Sequence, residues 1–143
     1  MTNLVKQLKL DEGVKPAAYQ DHLGFWTIGV GRLIDARKGG GLRDGEIEYM
    51  LRNDIEDRIR GLSAQIPWFL DLDEARQGVL LNIAFQMGIA GLLAFTGTLA
   101  HVRAGRYDEA AKAMLQSKWA TQTPERAQRL AKQMESGEWQ FAE

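Results

Sequence analysis

Three side chains near the start of the chain have types and spacing suited to acid–base chemistry. In "LKLDEGVKPAAYQDHLGFWTIGVGR" they are Glu12, Asp21 and Thr27, with glycines set among them. Glu12 falls on the apolar stripe of a short helix, in its last turn. Burial and the negative end of the helix dipole both disfavour an ionised carboxyl there, the condition under which a carboxyl serves as a general acid. Asp21 opens a turn, a wetter place where a carboxylate is more easily ionised. Two carboxyls in unlike environments divide acid and base roles, and glycoside hydrolysis uses such a pair. Thr27 shares a strand face with Gly29, so a hydroxyl able to hold water would lie beside a residue that lets a bulky substrate approach. Each position also has a plainer reading: a solvated helix end for Glu12, turn geometry for Asp21, strand propensity for Thr27.

The elements that must carry these residues follow from periodicity. Leu4, Val5, Leu8 and Glu12 mark a helix over residues 3–12, stopped by Gly13. "AAYQDHLGFWTIGVG" reads as a β-hairpin about the turn "DHLG", with Trp26, Ile28 and Val30 on one face and Phe25, Thr27 and Gly29 on the other. "DARKGGGLRDGE" is a glycine-rich connection. A long helix begins near Asp44, a candidate cap, and carries Ile47, Leu51, Ile55, Ile59 and Leu62 at helical spacing before Pro67 breaks the pattern. The remainder is helical: "DEARQGVLLNIAFQMG" ending at Gly88, two short helices, and "TPERAQRLAKQM" with Thr123 as cap and Pro124 at the first position. The expected fold class is α+β: a small β-hairpin lobe (about 13–43) and a larger helical lobe (about 63–143 plus the N-terminal helix), joined by a connecting helix (about 44–62). All of 1–143 then forms one catalytic domain, with a ligand cleft expected between the lobes.

Composition excludes several classes. The 143 residues carry a net charge of −1, so a basic nucleic-acid footprint is absent. There is no cysteine, and His22 and His101 alone do not make a metal site; neither metal nor cofactor is expected. "GVGR" lacks the Lys-Ser/Thr of a phosphate loop. "MTNLVKQLKLDEG" has neither a basic n-region nor a long apolar core, so no signal peptide or anchor is expected. Trp68 and Trp119 are expected in the core.

The pattern Glu, eight residues, Asp, five residues, Thr within "DEG…Y.D..G..TIG.G" resembles the phage-type lysozymes, glycoside hydrolase family 24. "ARQGVLLNIAFQMG", "FTGTL", "YDEAA" and "SKW..QTPERAQR" continue the resemblance in the same order over nearly the whole chain. It implies a two-lobed lysozyme fold and hydrolysis of the β-1,4 bond between N-acetylmuramic acid and N-acetylglucosamine in bacterial peptidoglycan. It further implies Glu12 as general acid, Asp21 as the carboxylate acting on the attacking water, and Thr27 as the hydroxyl assisting that water. Arg126 would pair with the catalytic Glu, and Leu33, Phe85 and Thr98 would contact substrate. The family is taken to invert the anomeric centre. The corresponding biology is an endolysin: a monomer made in the host cytoplasm and reaching periplasmic peptidoglycan with the help of a holin-type partner. Alternatives are a lytic transglycosylase, which needs no water-positioning Asp, a non-catalytic peptidoglycan-binding protein, and membrane disruption by the mildly basic C-terminal helix. One departure is Arg32, where many members have His; it calls into question a family ion pair that steadies the fold.

Cell walls are anionic, and basic lysozymes gain from electrostatic capture. A chain of net charge −1 has little of this to lose. Its activity is expected to change less than about threefold between about 50 and 200 mM salt; a steep fall in a turbidity assay over that range would contradict the reading.

Overall fold

The computed structural model describes residues 2–35 and 39–141; residues 36–38 of the glycine-rich connection lie outside the described residues. The elements run α1 (Thr2–Glu12), β1 (Lys15–Gln20), β2 (Trp26–Gly29), β3 (Arg32–Leu33), α2 (Asp44–Gln65), a 3-10 turn (Pro67–Asp71), α3 (Glu74–Leu93), α4 (Thr96–Arg103), α5 (Tyr107–Leu115), α6 (Lys118–Gln122) and α7 (Pro124–Ser136). The class is α+β. Two compact units divide the chain, Met1–Leu51 and Arg52–Glu143.

In the first unit the sheet is antiparallel in the order β1-β2-β3. The expected hairpin is therefore a three-stranded meander. The third strand is only two residues long, too short for any periodic signal. It exists because Gly29 and Gly31, both at φ 69°, let the chain reverse through Val30, so that Ile28 pairs with Arg32 and Thr27 with Leu33. On the other side Thr27 pairs with Tyr19, and the register shifts between Lys15 and Tyr19. Pro16 lies in the shifted segment; it has no N–H for the ladder, and this edge strand tolerates that through the irregularity. Helix α1 forms where expected but buries none of its residues. Leu4, Val5 and Leu8 are each at least 42% exposed, and Glu12 is exposed too. The burial expected of Glu12 from the helical stripe is thus not met.

Helix α2 starts at Asp44, but Asp44 is not its cap. The Arg43 carbonyl accepts the first intrahelical bond from the Ile47 N–H, and the Glu46 carboxylate accepts from the Arg43 N–H at 3.1 Å. Glu46 thus supplies the reach-back half of a capping box. The same carboxylate takes a bidentate pair from Arg32, Nη1 to Oε2 at 2.8 Å and Nη2 to Oε1 at 3.1 Å, while Arg32 Nη1 also donates to the Gly41 carbonyl at 3.0 Å. Arg32 therefore has an ion pair of its own, tying β3 to the start of α2.

The second unit holds the apolar core. Leu62 of α2, Phe69, the α3 face Val79, Leu80, Ile83 and Ala84, and Leu92, Val102, Met114, Leu130 and Met134 form one buried cluster. Trp119 is buried within it and Trp68 packs against it, as their placement in the core requires. Gly88, expected to end its helix, instead interrupts it: at φ 77° and ψ 166° it breaks α3, which resumes and runs on to Leu93. Helix α7 begins at Pro124 as expected. Thr123 does not cap it through its side chain; its hydroxyl donates to the Trp119 carbonyl at 3.0 Å. No single helix among the described residues is long and apolar enough to cross a membrane.

The side-chain hydrogen bond from Arg32, followed by the Arg43 N–H, holds the Glu46 carboxyl below the usual range. A depressed carboxyl contributes stability that is complete above its unfolded value, about 4.3 for Glu, and is lost as pH falls through the folded value. Glu46→Gln should therefore speed amide exchange of β3 and of the first turn of α2 near neutrality, with the difference from the parent narrowing as pH falls below the unfolded glutamate value of about 4.3. An equal difference above and below that value would contradict this role.

Candidate active site

The hairpin turn is built on Asp21. Its backbone N–H donates to the Phe25 carbonyl and its own carbonyl accepts from the Gly24 N–H, both at 2.9 Å. Its Oδ1 accepts from the N–H groups of Leu23 and Phe25, each at 2.9 Å. Gly24, at φ 84°, completes the reversal. The turn reading of Asp21 is therefore correct, and it uses one carboxylate oxygen. Among the described residues no hydrogen bond falls on Oδ2, which leaves that oxygen available to a ligand.

Thr27, on β2, is buried (3% exposed), and its hydroxyl donates to the same Phe25 carbonyl at 3.0 Å. The backbone of one residue thus grips both candidate residues: the Phe25 N–H holds the Asp21 carboxylate, and the Phe25 carbonyl holds the Thr27 hydroxyl. With its proton committed, Oγ1 keeps its lone pairs as acceptor sites. The cross-strand partners Tyr19 and Leu33 flank Thr27 on the same sheet face. Leu33 also lines an open cavity of about 930 Å³ with Ile28, Ile34, Leu42, Ile47 and Met50.

Glu12, the last residue of α1, is followed by Gly13 at φ 77°, whose N–H closes the helix on the Lys9 carbonyl. The Glu12 side chain lies over Gly31 in the β2–β3 turn: a Cβ on Gly31 would fall 2.9 Å from Glu12 Oε2. The first unit thus brings together Glu12 with the β2–β3 turn, and Asp21 with Thr27 through Phe25.

The other candidates belong to the second unit. Arg126 on α7 donates through Nε to the Asn82 side-chain oxygen at 2.8 Å and through Nη2 to the Asn82 carbonyl at 3.3 Å. Burial, and then the like charge of Arg129, push it below the ordinary arginine value. Within its own unit it forms no ion pair among the described residues. Phe85, on α3, is 38% exposed with the Arg58 guanidinium 4.6 Å above its ring. Thr98, on α4, is buried and lines a cavity of about 330 Å³ with Phe95, Ser117, Lys118 and Trp119. Trp119 donates to Gln86 at 2.9 Å and meets Phe95 edge-on. Among the described residues no group of His, Cys, Asp and Glu could hold a metal ion.

Sequence reasoning missed Phe25, Gly31, Tyr19, Asn82 and Gln86. Phe25 acts through its backbone, for which residue type gives no signal. The alternation of β2 with β1 could have found Tyr19, opposite Thr27. Asn82 and Gln86 meet partners 44 and 33 residues away, beyond any local pattern.

The model of the Phage lysozyme family matches residues 9–136. Probable T4-type lysozymes 1 and 2 of Dictyostelium discoideum are 27% and 28% identical to this chain, each covering 96% of it and 96% of their own length. The pre-baseplate central spike protein Gp5 of Enterobacteria phage T4 is 28% identical over 90% of this chain, which corresponds to 27% of that protein. With nearly all of its length spanned by the family model and an α+β fold to match, the chain belongs to the phage lysozyme family and is a glycoside hydrolase with muramidase-type activity.

Proposed function

We propose that the chain is an endolysin that hydrolyses the β-1,4 bond between N-acetylmuramic acid and N-acetylglucosamine, with Glu12, Asp21 and Thr27 in the roles their resemblance implies. The observation that supports this most is the double grip of the Phe25 backbone. It fixes Asp21 and Thr27 relative to each other and leaves one acceptor of each, Oδ2 and Oγ1, for the two protons of a single water. Glu12 gives its proton to the glycosidic oxygen as the bond to the anomeric carbon breaks. The water attacks that carbon and passes a proton to Asp21. The products are a reducing muramic acid end and a free hydroxyl on the glucosamine. Attack opposite the leaving group inverts the centre.

Arg126 is the proposed charge partner of Glu12. Its anchoring on Asn82, its partial burial and the lack of a carboxylate partner in its own unit support that reading. Leu33, Phe85 and Thr98 are proposed substrate contacts: Leu33 stands beside Thr27 on the sheet, Thr98 lines a cavity, and Phe85 keeps an exposed ring edge. We place residues 1–143 in a single catalytic domain that works as a monomer. It would be made in the host cytoplasm and reach periplasmic peptidoglycan for host-cell lysis once a holin-type partner opens the inner membrane.

Mass spectrometry of fragments released from purified peptidoglycan tests the chemistry. The parent should yield reducing muramic acid ends, and Glu12→Gln should lower their rate by at least about 10²–10⁴-fold while keeping the far-UV spectrum of the parent. Asp21→Asn should be severely impaired as well. Anhydro ends would make the chain a lytic transglycosylase, and binding without fragments would leave a wall-binding protein. Ordinary activity in Glu12→Gln would remove that residue from the mechanism.

A further inference from the structure

Gly29 and Gly31 bracket the β2–β3 turn and share the same left-handed conformation, φ 69°. Their surroundings differ. A Cβ on Gly29 would meet nothing within 4 Å. A Cβ on Gly31 would fall 2.9 Å from Glu12 Oε2, 3.4 Å from Cδ and 3.5 Å from Cβ. Backbone conformation is therefore a sufficient reason for glycine at 29 but only half the reason at 31. The other half is space: the Glu12 side chain crosses the place where any other residue would put its first carbon. A contact of 2.9 Å lies inside the van der Waals separation of carbon and oxygen, so one of the two groups would have to move. Glu12 ends α1, which buries none of its residues, and Oε2 is the far end of a flexible side chain, so the carboxyl is the group that gives way.

We propose that Gly31 is a positioning residue for the Glu12 carboxyl, its bare α-carbon being the seat on which that carboxyl rests. The proposal rests on the reading of Glu12 as general acid. It sets the direction in which Oε2 points, so a side chain at 31 would turn the acid away from its working orientation without altering its chemical identity. A displacement of about 1 Å in a catalytic group can lower turnover about 100-fold.

The test compares Gly31→Ala with Gly105→Ala, because Gly105 has the same left-handed strain (φ 76°) and open space around it. Each is made in the parent and in a Glu12→Ala background, and thermal unfolding is measured for all. Gly31→Ala should lower the melting temperature more than Gly105→Ala in the parent, and the excess should vanish in Glu12→Ala. An excess that persists without the Glu12 side chain would overturn the proposed contact. In the parent background, Gly31→Ala should reduce kcat about 10- to 100-fold with KM changed less than about twofold, whereas Gly105→Ala should change neither. A coupled pair with unchanged kcat would overturn the positioning role. Gly31→Asn, which adopts the left-handed conformation more readily and carries the same Cβ, repeats the comparison if the alanine variant fails to fold; parent-like kcat in it would overturn the proposal. Failure of the reading beneath this one is distinguishable, since it shows as full activity in Glu12→Gln.

Discussion

The first unit has almost no interior. Among the described residues every buried apolar side chain lies between Leu62 and Met134, and in Met1–Leu51 only Thr27 is buried. What fixes the sheet against the start of α2 is the bidentate pair of Arg32 with Glu46, and the local geometry of the candidate site depends on it. Arg32 follows the turn glycine on which Glu12 rests and precedes Leu33, the cross-strand partner of Thr27. A half-exposed ion pair contributes little by itself. This one gains from its fork geometry and from the two backbone groups, the Gly41 carbonyl and the Arg43 N–H, that share it. A lysine at 32 would keep the charge and lose the fork, so it would not hold the strand in the same register.

The double use proposed for Asp21 and Thr27 is one that hydrogen-bond capacity allows. A carboxylate has more acceptor sites than a turn consumes, and a hydroxyl that donates its proton still has lone pairs. The turn therefore does not compete with chemistry at Asp21; it orients the carboxylate by occupying Oδ1. The same holds for Thr27, whose burial and bond to the Phe25 carbonyl fix its rotamer. Readings offered as rivals at the level of residue type, turn former against acid–base group, turn out to describe different atoms of one side chain.

What could be read from the sequence was what depends on near neighbours. The ends of α1 at Gly13, the turn at "DHLG" and the start of α7 at Pro124 each have a residue with a backbone constraint of its own, and each formed where expected. The two-residue β3 has no period to detect, and Gly88 was readable as a break but not as a break within a longer helix. The capping of α2 was misassigned because Asp44 and Glu46 are both acidic; only the bond to the Arg43 N–H distinguishes them. The stripe of α1 was misleading in another way. Helical spacing of Leu4, Leu8 and Glu12 aligns them on one side of a cylinder, but alignment is not burial, and α1 buries nothing. The Glu12 side chain lies instead over a glycine nineteen positions on, where a Cβ would crowd its carboxyl.

These contrasts explain why the two units differ in how much they disclose. From Glu12 to Leu33 the groups in question are linked by hydrogen bonds spanning two to four residues and by pairings across tight turns. Short loops cost little entropy to close, so such geometry is specified locally and is visible in the spacing of a few letters. In the second unit, Arg126 is oriented by Asn82 and Trp119 by Gln86, pairings that exist only once α3, α6 and α7 have packed on a common core. A cavity-forming substitution in that core, at Phe69 or Ile83 for example, would therefore loosen Arg126 and the Thr98 cavity while leaving the turn of Asp21 and Thr27 intact. Side chains positioned by local turns and side chains positioned by a distant core answer to different parts of the sequence, and only the former can be found by reading along it.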